Sequence, residues 1–133
     1  MLYWNMEPSR NARWERRSEG VQRMLPLVAL VGPNTVSFGE IYSGVLRDMG
    51  RASIIGELTG GNVELLRGYD FEDGSRAWIA NENFQPRNHP EQDWEASGII
   101  PDITVASNWD EVTLQTDPAV QAALELLDTA RQP

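Results

Sequence analysis

The 133-residue chain reads as an α/β domain with parallel buried strands joined by a crossover helix, followed by a β-hairpin and a C-terminal helix. Three observations predict it. Leu27-Val28-Ala29-Leu30-Val31 is a continuous apolar run, the pattern of a strand covered on both faces. Helical periodicity follows from Ser37 to Met49, and a second apolar run, Ala52 to Gly56, comes directly after it. Strand, helix and strand in that order fold as a parallel pair with a right-handed crossover.

Residues 1 to 25 read as an irregular N-terminal segment. Trp4, Trp14 and the arginines there show neither period 2 nor period 3.6, so at most one irregular strand is expected. The domain proper is expected over 26 to 133. Gly32-Pro33-Asn34 ends the first strand. The helix carries Phe38, Ile41, Val45, Leu46 and Met49 on one face and is closed by Gly50. After Gly60-Gly61, residues 62 to 71 and 75 to 80 read as two strands joined by Asp73-Gly74, a pair suited to a tight turn. Trp78 is expected to pack on a strand face. Residues 81 to 98 read as a long polar loop, a length that points to function or mobility. Ile103 to Val105 reads as a short strand, and Asp117-Pro118 opens a last helix with Val120, Ala123, Leu124 and Leu127 inward.

The formal net charge is -9, which argues against nucleic acid or an anionic membrane as partner, since both are bound through clustered positive charge. No apolar run is long enough to cross a bilayer. Without cysteine there is no disulfide, thiolate nucleophile or zinc–sulfur site. There is also no lysine and a single histidine, His89, so bases for nucleophilic catalysis are scarce. Localisation is not legible, because MLYWNMEPSRNARWERR lacks the apolar stretch of a secretory signal. The acids at 91 to 95 have neither histidine partners nor ligand spacing, so no metal is expected. Gly60-Gly61 lacks the residues of a phosphate loop, and no organic cofactor is expected.

Chemistry is best placed in Gly32-Pro33-Asn34-Thr35-Val36-Ser37-Phe38-Gly39-Glu40. A serine at the turn from a buried strand into a helix sits on a rigid support beside the positive end of the helix dipole. The following N–H, that of Phe38, can then hold an oxyanion. The same spacing, Ser37-x-x-Glu40, also describes a capping box, in which the serine only caps the helix and Glu40 returns the bond.

The run PLVALVGPNTVSFGEIYSGVLRDMGRASIIGELTGGN resembles the tail-specific (C-terminal processing) serine proteases. Their matching segment has an apolar strand, a serine-containing run ending in Glu, a helix, Gly-Arg-Ala, an apolar strand and Gly-Glu-x-Thr. Asp73-Gly74-Ser75 and Gly98-Ile99-Ile100-Pro101-Asp102-Ile103 resemble the family's hairpin and its Gly-x-x-Pro-Asp-Ile element. The resemblance covers about residues 26 to 106 and implies the C-terminal part of a ClpP/crotonase-like catalytic core, with the nucleophile at Ser37.

In the common branch of the family a lysine is the general base, and its position here holds Asn62. A branch resembling the tricorn core protease uses an upstream histidine and a glutamate before Gly-x-x-Pro-Asp. Glu95 matches that glutamate, with an orienting role; otherwise it is one solvated acid in a polar loop. His89 is a possible base, or an exposed histidine in a polar turn. The family's upstream oxyanion donor and PDZ domain are not recognisable, so the chain is expected to be a piece of a larger protein. The resemblance implies acyl-enzyme peptide hydrolysis with a peptide or protein substrate, completed by upstream residues or a partner chain. The alternative is a non-catalytic binding or assembly module on the same fold. The Leu27 to Val31 strand, lacking a neighbour, is expected to invite self-association or a partner.

Overall fold

The structure, a computed structural model, describes residues 2–5, 11–14, 25–108 and 110–130. Strands β1 (Leu2–Asn5) and β2 (Asn11–Trp14) come first, followed by β3 (Val28–Val31), helix α1 (Phe38–Asp48) and β4 (Ser53–Gly56). Then come β5 (Leu65–Asp70), β6 (Arg76–Phe84), the short helix α2 (Trp94–Ser97), β7 (Ile103–Thr104) and α3 (Pro118–Thr129).

The apolar runs at 27–31 and 52–56 form a parallel sheet of order β3-β4-β7. Its register puts Val28 beside Ser53 and Val31 beside Gly56, with Ile55 beside Ile103. β4 is the central strand. Its consecutive residues Ile54 and Ile55 are both fully buried but face opposite ways. Ile54 joins Val31, Ile41, Val63, Phe84, Trp94 and Ile99, whereas Ile55 joins Ala119 and Ala123. The sheet therefore lies between α1 and α3, and only β4 is covered on both faces as expected. β3 is an edge strand among the described residues, and Leu30 stays 38% exposed.

The inward face of α1 consists of Glu40, Ile41, Ser43 and Gly44. Phe38 and Met49, expected on the packed face, are exposed. The physical reason is close approach. A Cβ on Gly44 would stand 2.8 Å from the Trp94 ring and 2.9 Å from Ile99, so the helix needs a small residue there. In α3, Asp117 caps the N-terminus by accepting the Ala119 N–H, and Pro118 sits in the first turn. Ala119 and Ala123 face the sheet and Leu124 is exposed, so the inward face is rotated from the one expected.

The second sheet has the order β2-β1-β6-β5 and is antiparallel where its pairings are defined. Two regular strands thus occupy the segment in which one irregular strand was expected. Their pairing also explains β6, which runs on to Phe84 because Asn83 and Phe84 pair with Asn5 and Trp4. Residues 81–84, read as loop, are strand. At the hairpin end the Phe71 N–H donates to the Ser75 carbonyl at 2.9 Å, and Gly74 adopts φ 84°. Trp78 lies across Gly68 beside the Arg76 guanidinium but remains exposed. No helix among the described residues is long and apolar enough to cross a membrane.

Candidate active site

Ser37 stands between the loop that leaves β3 and the first turn of α1. Its backbone has φ 54° and ψ -124°, the only positive φ at a non-glycine residue among those described. A side chain in that region costs about 1–3 kcal/mol and persists only when its surroundings hold it. Three hydrogen bonds do so. The Ser37 N–H donates to the Asn62 carbonyl at 2.8 Å, its carbonyl accepts the Ile41 N–H at 3.0 Å, and the Gly39 N–H donates to Val36 at 3.1 Å. The hydroxyl makes no capping bond. The capping-box reading is therefore corrected: Ser37 is at the N-cap position without capping. Its Oγ is left for another use.

Glu40 does not return a bond to Ser37 either. It is fully buried, and its carboxylate accepts the Thr59 hydroxyl at 2.5 Å, the Gly61 N–H at 2.7 Å and the Asn62 N–H at 2.8 Å. Thr59 in turn accepts the Ile99 N–H on its hydroxyl at 2.7 Å. A buried carboxylate is tolerated when donors replace its lost water, and three do so here. The result is a bracket that fixes residues 59–62 against the start of α1. Thr59 was missed as a functional residue, its signal present only as the last residue of Gly-Glu-x-Thr. Glu40 was read as a partner of Ser37, because the bonds its carboxylate accepts span 19 to 22 positions.

Glu95 lies in α2, whose N-terminus Asp93 caps by accepting the Glu95 N–H. Its carboxylate accepts the Val63 N–H at 2.6 Å and the Glu64 N–H at 2.8 Å. It holds the continuation of the same 61–64 segment that carries the Ser37 contact. Glycines permit this packing. A Cβ on Gly98, at φ 69°, would stand 2.6 Å from the Thr59 carbonyl, and one on Gly61 would stand 2.9 Å from the Glu95 carbonyl.

Phe38 is the first residue of α1 and its ring is exposed. Among the described residues no acceptor takes its N–H, as is usual for the first turn of a helix. This donor is adjacent to Ser37, where a developing oxyanion would need it.

His89 is elsewhere. The Arg87 and Asn88 N–H groups donate to the Asp48 carboxylate at 3.1 and 3.0 Å, which ties this turn to the last residue of α1. From Phe38 to Asp48 the helix rises about 15 Å. His89 itself lies 3.5 Å from Glu91. The fold brings Ser37, Phe38, Asn62 and Glu95 to one segment and keeps His89 at the other end of α1. His89 is not brought to the serine as its base.

Asp102 of the Pro-Asp-Ile element anchors the far side of the core. It accepts Arg47 Nε on one oxygen and the Ile54 N–H on the other, each at 2.8 Å.

The sequence profile of Peptidase family S41 matches residues 3–105. The chain is 34% identical over 105 residues to the carboxyl-terminal-processing protease of Synechocystis sp., which covers 77% of this chain and 24% of that protein. It is 33% identical over 87 residues to the chloroplastic carboxyl-terminal-processing peptidase 1 of Arabidopsis thaliana, covering 65% of this chain and 17% of that one. Among solved structures, a photosystem II D1 C-terminal processing protease superposes with a TM-score of 0.54 at 33% identity, over 61% of this chain and 20% of that one. A peptidase structure from Parabacteroides merdae superposes with a TM-score of 0.59 at 24% identity, over 90% of this chain and 34% of that chain, and supports the fold. The chain thus spans about a quarter of the length of the curated relatives it matches first.

Proposed function

Because the chain belongs to Peptidase family S41, we propose that it is the nucleophile-bearing part of a serine-type peptidase. Ser37 Oγ attacks the carbonyl carbon of a peptide bond while a base takes its proton. The Phe38 N–H donates to the oxyanion, the amine leaves with a proton, and water then releases the acyl group. Glu95 and Glu40 act as positioning residues through the 59–64 backbone. The substrate class is an exposed peptide segment of a protein.

The observation that carries this reading is the backbone of Ser37. A serine held at φ 54° with an unbonded hydroxyl on a strand-to-helix turn is the arrangement expected of an exposed nucleophile, and a capping serine has no use for it. The base is the open part. Asn62 stands at the lysine position and an amide takes no proton. A base supplied by upstream residues or by a second chain, as in the tricorn-like branch, fits this chain better than a serine–lysine dyad.

The second reading, a non-catalytic binding or assembly module, is favoured by that same Asn62. Either reading leaves the edge of β3, unpaired among the described residues, and the exposed Phe38, Tyr42 and Met49 of α1 and its C-cap as the surface on which we place a covering partner, an upstream segment or another copy. Labelling with a fluorophosphonate, read by peptide mass spectrometry on the folded chain and its Ser37→Ala variant, tests the peptidase reading. Labelling confined to Ser37 supports it. Absence of labelling, both alone and with the upstream half of a relative added, sinks it in favour of the binding module.

A further inference from the structure

We propose that the cleft at the carboxyl ends of β3, β4 and β7 is a binding subsite for a positively charged side chain, arginine or lysine, of a peptide presented to Ser37. The placement beside a nucleophile rests on the peptidase reading, whereas the cation preference rests on the cleft alone. The cleft has a volume of about 500 Å³, within the range of ligand sites, and Pro33, Asn34, Thr35, Glu57, Asn108 and Asp110 are among its lining residues. Ligands of parallel α/β sheets bind at this end of the strands.

Its chemistry is that of a cation acceptor. Glu57 is half-buried, and one of its oxygens accepts the Ser107 N–H at 3.3 Å. Among the described residues, neither Glu57 nor Asp110 takes part in the ion pairs formed by Asp102, Asp70 and Glu91. The carboxamide of Asn34 adds an acceptor for a remaining N–H of a guanidinium, and that of Asn108, which already accepts the Asp110 N–H at 3.4 Å, keeps one lone pair for another. Two carboxylates in a chain of net charge -9 repel an acidic side chain or a free peptide carboxylate, and they attract a cation.

The frame is already built. The Thr35 hydroxyl accepts the Gly32 N–H at 3.0 Å, and the Thr35 carbonyl accepts the Gly60 N–H at 3.0 Å. The Glu57 N–H donates to Val31 at 3.1 Å and the Ser107 hydroxyl to Asp117 at 3.0 Å. Little ordering is therefore left for a ligand to induce. Thr35 precedes Ser37 by two residues, at most about 7 Å of chain. The occupant is thus a side chain within a few positions of the bond that Ser37 would attack.

The test uses the isotope-labelled chain and two capped tripeptides, acetyl-Ala-Arg-Ala-amide and its citrulline counterpart, which keeps the shape and removes the charge. Titration followed by amide NMR shifts is expected to move Gly32, Asn34, Thr35 and Ser107. Binding should be at least fivefold weaker with citrulline, and at least fivefold weaker to Glu57→Gln and Asp110→Asn variants that keep the parent spectrum. Equal affinity for the two peptides, no binding, or shifts concentrated on other acidic surfaces overturns the proposal. Binding is read without turnover, so it fails separately from the labelling of Ser37.

Discussion

The Ser37 N–H donates to the Asn62 carbonyl at 2.8 Å, while the Asn62 N–H is held by Glu40 at 2.8 Å. One residue, Asn62, thus couples through its carbonyl and its N–H the left-handed backbone of Ser37 to a buried carboxylate three residues further along the chain. The strain at Ser37 is sustained from the other side of the site.

Ser37→Ala removes no capping bond, so stability should change by less than about 0.5 kcal/mol in a denaturant titration. A true cap would cost about 0.5–2 kcal/mol. Ser37→Gly relieves the positive φ and should be about 1 kcal/mol more stable than Ser37→Ala. An alanine variant destabilised by a full cap's worth would restore the capping reading.

Glu40→Gln keeps the shape of the side chain but turns one acceptor into a donor facing the Gly61 or Asn62 N–H. A buried donor left without a partner costs about 1–3 kcal/mol. The expected result is that much loss of stability, together with loss of reactivity at Ser37 under conditions where the variant remains folded. A folded variant with parental labelling would show that the bracket does not position the serine.

The two apolar runs and the helix between them were legible because an uninterrupted apolar stretch marks a strand of a parallel sheet. Burial on both faces is its cause at Ile54 and Ile55 of β4 but not in the edge strand β3. The Asp73-Gly74 turn and the Asp117-Pro118 helix start were legible because their constraints are local. The Glu40 bracket was not. Its partners lie at 59, 61 and 62, and a glutamate three residues after a serine looks the same whether it faces the serine or the core. The inward face of α1 escaped for a related reason. Glu40, Ser43 and Gly44 are not apolar, so periodicity selected the neighbouring face with Phe38 and Met49. Residues 81–84 became strand through non-local pairing, Glu82 with Leu65 of β5 and Asn83 and Phe84 with β1, which no local signal carries.

Gly98→Ala should be among the most disruptive single changes. It forces a side chain to φ 69° and drives a Cβ to 2.6 Å from the Thr59 carbonyl, where only backbone movement gives relief. A loss of about 3 kcal/mol or more is expected from strain and clash together, read as a lowered denaturation midpoint. Because Thr59 also holds Glu40, reactivity of Ser37 should fall with it. Stability within 1 kcal/mol of the parent would mean that the 59–62 loop adapts freely.

The hairpin offers a titration test. The Arg76 side chain beside Asp70 holds that carboxyl below its ordinary 3.8, and the Ser75 hydroxyl and N–H do the same for Asp73. A depressed folded pKa contributes stability above the unfolded value and loses it as pH falls through the folded one. The contribution is therefore present above about pH 3.8 and is lost as pH falls from there through the lower folded values, and at this exposed site it is small. Carboxyl NMR should show both groups titrating below 3.8, and Arg76→Ala should return Asp70 alone towards that value.

The last prediction concerns the base. Asn62 is exposed, its carbonyl touches the Ser37 N–H, and on the proposed reading its position is that of the lysine in the common branch of the family. Asn62→Lys places a flexible amine beside the serine, and an amine partly desolvated there can take the hydroxyl proton. If the oxyanion donor and the nucleophile are already formed, the rate of fluorophosphonate labelling should rise at least tenfold. The rise should grow with pH as the lysine loses its proton, and should vanish in the Ser37→Ala double variant. If the rate is unchanged while the parent also fails to label, the base is not the only missing part. The covering segment must then supply more than a proton acceptor, and the second oxyanion donor is the part to seek there.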